Sequence, residues 1–116
     1  MTGEQFFRTL FFRLKTSSVV LATVRDVRGS TPRYAGAQMA CGDGWSLGTV
    51  GGGLAEARVV DAARGMKKTS GPKEVVIDLR GTCQEPRDGI CGGTMKVRLD
   101  VLGPAALESI EGALEN

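Results

Sequence analysis

Three glycine-bearing loops hold most of the residues in this sequence that can do chemistry. The first lies in "GTVGGGLAEA", residues 48–57, where Gly51, Gly52 and Gly53 stand between a β-like run and a helix start. Free amides at a helix N-terminus favour an anion, and glycine lets a phosphate approach the backbone without meeting a Cβ. The spacing is neither G-x-x-x-x-G-K-[ST] nor G-x-G-x-x-G, so it reads as an anion cradle or as a tight turn that lets the helix sit close to the sheet. Glu56 falls in the first helical turn, where its charge complements the helix dipole. The second loop is "RGSTPR", in which Arg28 and Arg33 bracket Ser30 and Thr31. Two guanidiniums and two hydroxyls can hold a phosphate or carboxylate, and the same residues also make an ordinary exposed basic turn. The third is "GICGGT", where Cys91 precedes Gly92 and Gly93 and follows Arg87 and Asp88. Nearby amides and an arginine can lower a thiol toward a reactive thiolate; the alternative is a small apolar residue tucked into a turn. Cys83 lies eight positions upstream of Cys91 in the same loop, a conceivable redox partner. Cys41, at a strand end, reads as structural.

Composition narrows what this chemistry can be. Histidine is absent, which removes the commonest general base, the commonest metal ligand and any Ser–His or Cys–His dyad. Three cysteines do not furnish the four ligands of a structural zinc site. The net charge of +2 and six aromatics give no nucleic-acid signature. No apolar run approaches the ~20 residues of a membrane span, and no signal peptide is apparent, so reduced thiols in the cytoplasm are expected. Glycine numbers 17 of 116 residues, about twice the usual ~7%. Eight of the 17 fall between positions 29 and 53.

The elements that must position the loops follow from periodicity. "EQFFRTLFFRLK" places Phe6, Phe7, Leu10, Phe11 and Leu14 on one helical face, with Thr2 as N-cap. Residues 19–27 are β-branched and continuous at first, as in a strand buried on both faces that becomes half-exposed after Val24. Residues 37–41 and 45–50 read as a hairpin turning at Gly42-Asp43-Gly44. Residues 54–68 have helical spacing and composition, with Gly65 as the C′ residue. "KEVVIDL" is a short strand. "TMKVRLDVL" alternates, with Met95, Val97, Leu99 and Val101 facing one way and Lys96, Arg98 and Asp100 the other. "AALESIEGALEN" reads as a terminal helix. The order α-β-β-β-α-β-β-α predicts an α+β single domain: a mixed β-sheet of about five strands with two to three helices.

Taken in order, "VLATVRDVRGSTPRYAGAQM", "GTVGGGLAEARVV" and "CGGTMKVRLDVL" resemble the XdhC/CoxI family of xanthine dehydrogenase accessory proteins. The resemblance runs from the first helix to Pro104. It implies a non-enzymatic chaperone that binds molybdenum cofactor (molybdopterin), protects it, and helps its sulfuration and insertion into molybdenum hydroxylases. Fitting the residue reading to that cofactor, an assignment beyond what the resemblance gives, has Gly51, Gly52 and Gly53 grip the phosphate, helped by Ser30, Thr31 or Arg33. Glu56, Gly92 and Gly93 complete the cofactor-binding set, and Cys91 is the soft ligand facing molybdenum. The implied partners are a hydroxylase of the xanthine or CO dehydrogenase type and a cysteine desulfurase, with a homo-oligomer as a further expectation. Longer members carry a second, Rossmann-type domain, so residues 1–104 are expected to form the family domain and 105–116 a helical tail. Tyr34 stands where small residues or proline are common in the family. Two other readings of the chain remain: a pure interaction module that docks a hydroxylase subunit or a separate Rossmann-domain partner, and a small enzyme acting on a phosphorylated metabolite. The last has only Asp, Glu, Lys and Cys for acid–base work.

Overall fold

The computed structural model describes residues 3–29, 35–51, 53–67, 69–78 and 93–106. Helix α1 spans Gly3–Leu14, and β1 spans Val19–Arg28. Strands β2 (Gln38–Gly42) and β3 (Trp45–Gly48) form the hairpin around Asp43-Gly44. Helix α2 (Gly53–Arg64) leads to β4 (Lys73–Asp78), and β5 (Thr94–Leu102) ends in a short 3-10 turn, Pro104–Ala106.

The strands form one five-stranded sheet in the order β3-β2-β1-β5-β4. The α+β class and the five strands match expectation, but every pairing is antiparallel rather than mixed. The reason lies in α2. Strands β3 and β4, which α2 connects, run in the same direction, yet they sit at opposite edges with three strands between them. The two strands that would give a parallel pair therefore never meet.

Each helix covers one face of the sheet. On α1, Phe6, Leu10 and Leu14 are buried against Val19, Ala40 and Leu47, each contributing roughly 1.5–3 kcal/mol. Phe7 and Phe11 pack partly against the same cluster, whereas Phe12 is 69% exposed. On the other face, Ala55 and Val59 of α2 join Val20, Ala22 and Val24, Met39 and Cys41, and Met95, Val97 and Leu99. The alternation read in β5 is the one observed. Lys96, Arg98 and Asp100 lie on the α1 side, where Arg98 Nε donates to Asp100 Oδ1 at 3.2 Å.

Strand β1 contains a β-bulge. Val20, Ala22 and Val24 pair with Val101, Leu99 and Val97, but the register against β5 shifts between Val24 and Asp26. Without that extra residue, alternation would carry Asp26 into the α2 core and turn Val27 out. With it, Asp26 faces Lys96 and Val27 faces Met95, so the hydrophobic pattern "VRDV" keeps valine against the core.

One expectation is corrected. Gly65 follows α2 directly but has no positive φ. The helix closes instead with Met66 N–H donating to the Ala63 carbonyl at 3.1 Å, a 3-10 type turn and not a left-handed cap. The N-cap Thr2 and the terminal helix beyond Ala106 lie outside the described residues.

Gly48 closes β3 at φ 77°. A Cβ there would come 2.7 Å from the Gln38 carbonyl oxygen and 2.9 Å from Phe6 Cε2. Gly48→Ala is therefore expected to lose roughly 1–3 kcal/mol through backbone strain and displacement of the Phe6 ring. Urea unfolding should show the midpoint fall with an unchanged slope, and an unchanged midpoint would contradict the close fit.

Candidate functional site

Strand direction gathers the loops. Strands β1, β3 and β4 end, and β2 and β5 begin, at the same end of the sheet. The loop after Gly29, the loop after Gly48 and the loop entering Gly93 all leave from that end. At its tip Thr94 pairs with Arg28 on one side and Asp78 on the other. Gly93, just before Thr94, is buried. The second loop returns through Gly36, whose N–H donates to the Val24 carbonyl at 2.8 Å.

The glycine triplet leaves the sheet further back. Gly48 is level with Met39 and hence with Ala22, six residues short of Arg28 along β1, about 20 Å at strand rise. Val50 is fully buried in the α2-side cluster and ties the loop to the core. Gly51 has φ 129° and Gly53 φ 51°, conformations that side chains other than glycine rarely adopt. Their need for glycine is thus conformational. A Cβ at Gly53 would meet nothing within 4 Å, so its surroundings are open. The Gly51 amide is already engaged, donating to Thr49 Oγ1 at 2.9 Å. The first-turn amides of α2, from Gly53 onward, are donors for which an α-helix itself provides no acceptor.

Glu56 is half-buried in the first turn of α2. Its charge is felt at Cys41. Burial pushes the Cys41 thiol upward, and the Glu56 carboxylate adds to the shift. Cys41 is accordingly a neutral, buried thiol on the α2 face of β2, as a structural cysteine should be. Of the other predicted residues, Ser30, Thr31, Arg33, Gly52, Cys91 and Gly92, together with Cys83, lie outside the described residues. Among the described residues no three His, Cys, Asp or Glu side chains come together to hold a metal ion, and no helix is long and apolar enough to cross a membrane.

The opposite end of the sheet carries a feature that the sequence reading missed. A groove of about 620 Å³ opens between the end of α2 and the β2–β3 turn. Val20, Val60 and Val101 contribute apolar walls, and Arg64, Lys67 and Asp43 bring charge. The signal in the sequence is a run of small residues on both sides: Gly42, Gly44 and Ser46 on the hairpin, and Ala63 near the end of the helix.

Residues 13–78, more than half of the chain, match the XdhC and CoxI family, and the chain belongs to that family. It is 30% identical over 83 residues to the uncharacterized protein YqeB of Escherichia coli (strain K12), a match that covers 72% of this chain and 15% of that protein. It also resembles a solved protein from Bacillus halodurans described as a xanthine dehydrogenase (BH1974), with a TM-score of 0.79 and 25% identity. That superposition covers 99% of this chain and 34% of the Bacillus chain. The chain thus spans about a sixth and about a third of these two relatives.

The raised Cys41 thiol predicts a pH dependence. Its folded value lies above the ordinary value of 9.0, so below pH 9 the thiol is neutral in both folded and unfolded chains and costs nothing. As pH rises past 9 the unfolded thiol ionises first, and stability falls until the folded thiol ionises too. Thermal melts of the wild-type chain and Cys41→Ala from pH 7.5 to 10 should show the difference in Tm shift toward the variant as pH increases. A constant difference would contradict the buried, carboxylate-facing thiol.

Proposed function

We propose that this chain is a cofactor-handling domain serving molybdenum hydroxylases of the xanthine dehydrogenase type, and that it acts as a carrier and not as an enzyme. Family membership and the likeness to a protein described as a xanthine dehydrogenase support the link to that enzyme class. The observation that supports the reading is that the strands at Gly29, Gly48 and Gly93 direct their loops toward the same end of the sheet, with the Gly48 exit about 20 Å behind the other two.

Chain connectivity bounds the arrangement. Cys91 lies three residues before Thr94, and Ser30 two residues after Arg28. Thr94 and Arg28 are direct ladder partners, and three residues of chain span at most about 10 Å. The described strand ends that lead to these two segments, Arg28 and Thr94, are therefore neighbours, while Gly51 and the first turn of α2 stand further back. Molybdenum cofactor, with a phosphate at one end of a pterin and a dithiolene-bound metal at the other, is an extended ligand suited to two separated grips. In this reading the open amides of the α2 N-terminus hold the phosphate, Ser30, Thr31 and Arg33 bond to polar edges, and Cys91 supplies soft sulfur toward molybdenum. When bound, the cofactor brings the metal chemistry; the chain contributes grip, orientation and release.

A second reading has its own support. Phe12 stands 69% exposed on α1, and the Gly51 amide is already satisfied. Both suit an interaction module whose glycines shape turns and whose helix docks a hydroxylase subunit or a separate Rossmann-domain partner.

Anaerobic co-expression with the cofactor pathway, followed by fluorescence assay of oxidised pterin released from the purified chain, separates the two. The carrier reading expects stoichiometric pterin, and Cys91→Ser should reduce transfer or sulfuration at least ten-fold while the melting temperature stays within about 2 °C, as for a surface change. Hydroxylase pull-down without pterin, lost in Phe12→Ala and indifferent to Cys91→Ser, would establish the module instead.

A further inference from the structure

The groove at the hairpin end is remote from the three loops and plays no part in the carrier reading. Its form follows from the fold. The β2–β3 turn and the last turn of α2 rise from the same end of the sheet, and the side chains between them are small: Ser46 and Ala63, with the backbone of Gly42 and Gly44. Ser46 lies opposite Cys41 in the ladder, so it shares the α2 face, where a larger residue would fill the space. The volume, about 620 Å³, falls within the ~300–1,000 Å³ of small-molecule sites.

The lining is two-sided in character. Val20, Val60, Met66 and Val101 offer an apolar bed, which suits a flat or hydrocarbon body. On the helix side, Arg64 and Lys67 stand three residues apart on one rim. The Arg64 guanidinium has a distant partner in Asp61 at 3.8 Å, with both side chains about three-quarters exposed, so little holds it back from another anion. Asp43, on the opposite lip, is a single opposing charge. Trp45 also borders the groove at the turn, while its ring lies on the α1 face, where Arg13 is 4.6 Å above the ring centroid and the ring occupies the place of a Cβ on Gly42.

We infer that this groove is a binding site for a small amphiphilic anion, one with a planar or apolar body and a phosphate or carboxylate at its edge. The body lies on the valine bed between helix and hairpin. The acidic group meets Arg64 and Lys67 on the rim, where charge-assisted hydrogen bonds fix its orientation. The site is independent of the loop end, so a ligand here and a cofactor there do not compete for the same residues.

The protein carries its own reporter, because Trp45 is its single tryptophan. Two chemically matched probes make the test: riboflavin 5′-phosphate and riboflavin, with inorganic phosphate as a third arm. Titration of the full chain is followed by calorimetry and by Trp45 fluorescence. The expected result is saturable binding of riboflavin 5′-phosphate, at least ten-fold weaker binding of riboflavin, and no calorimetric binding of phosphate alone below millimolar concentration. In Arg64→Ala/Lys67→Ala, two exposed positions whose replacement leaves the core untouched, the affinity for the phosphorylated probe should fall at least ten-fold to that of riboflavin. Ser46→Phe should block both flavins. Equal affinity for the two flavins, binding of phosphate alone as tight as that of its ester, indifference to the double variant, or no saturable signal with a correctly folded chain would each overturn the assignment. None of these results depends on whether molybdenum cofactor binds at the other end, so failure here and failure of the carrier reading are read separately.

Discussion

The architecture rests on the double burial of β1. This ten-residue strand pairs with β2 on one side and β5 on the other, and its two faces meet α1 and α2. A strand so enclosed cannot slip, because a one-residue shift would exchange every inward side chain between two unlike cores. One core is built from phenylalanine and leucine of α1, the other from valine and alanine of α2. The bulge at Arg25 is the single permitted break in that rule, and it falls where β1 outruns β2 and the demand on both faces relaxes.

From that fixed strand the directions of all the others follow, and with them the placement of function. Antiparallel pairing on both sides sends three strand ends and two strand starts to the same end of the sheet, so Arg28, Asp78 and Thr94, far apart in sequence, stand side by side. The glycines of the α2 entry serve the same purpose locally. They bend the backbone from the sheet edge into the helix, with Val50 as the buried anchor and the Thr49 hydroxyl closing the turn.

Much of this was legible in the sequence, and the reasons are specific. The Phe and Leu spacing of α1 and the strict alternation of β5 declare buried faces directly, and Gly42-Asp43-Gly44 announces the hairpin turn, which proves one residue shorter because Gly42 pairs with Trp45. Cys41 read as structural and is so. Strand order was not legible, because periodicity reports which face is apolar and not which neighbour an edge meets. The expectation of a mixed sheet failed on that point: α2 joins two edges, not two neighbours. The bulge was hidden as well, since "VRDV" fits alternation in either phase until Met95 and Lys96 are set opposite it. At the candidate site, helix position placed Glu56 in the first turn but could not show that its charge reaches inward to Cys41. The groove escaped notice because it is made by small residues, whose significance lies in the space they leave.

The central strand of the sheet, β1, and its neighbour β5 are the first and the last strands among the described residues. Val19 waits for Leu102, and Arg28 for Thr94. During synthesis both helices and the hairpin emerge before β5, so the middle of the sheet stays open until Thr94–Leu102 has been made. Such distant pairing slows folding, and until β5 arrives it leaves the apolar first half of β1, Val19–Val24, with one edge unpaired and open to misassociation.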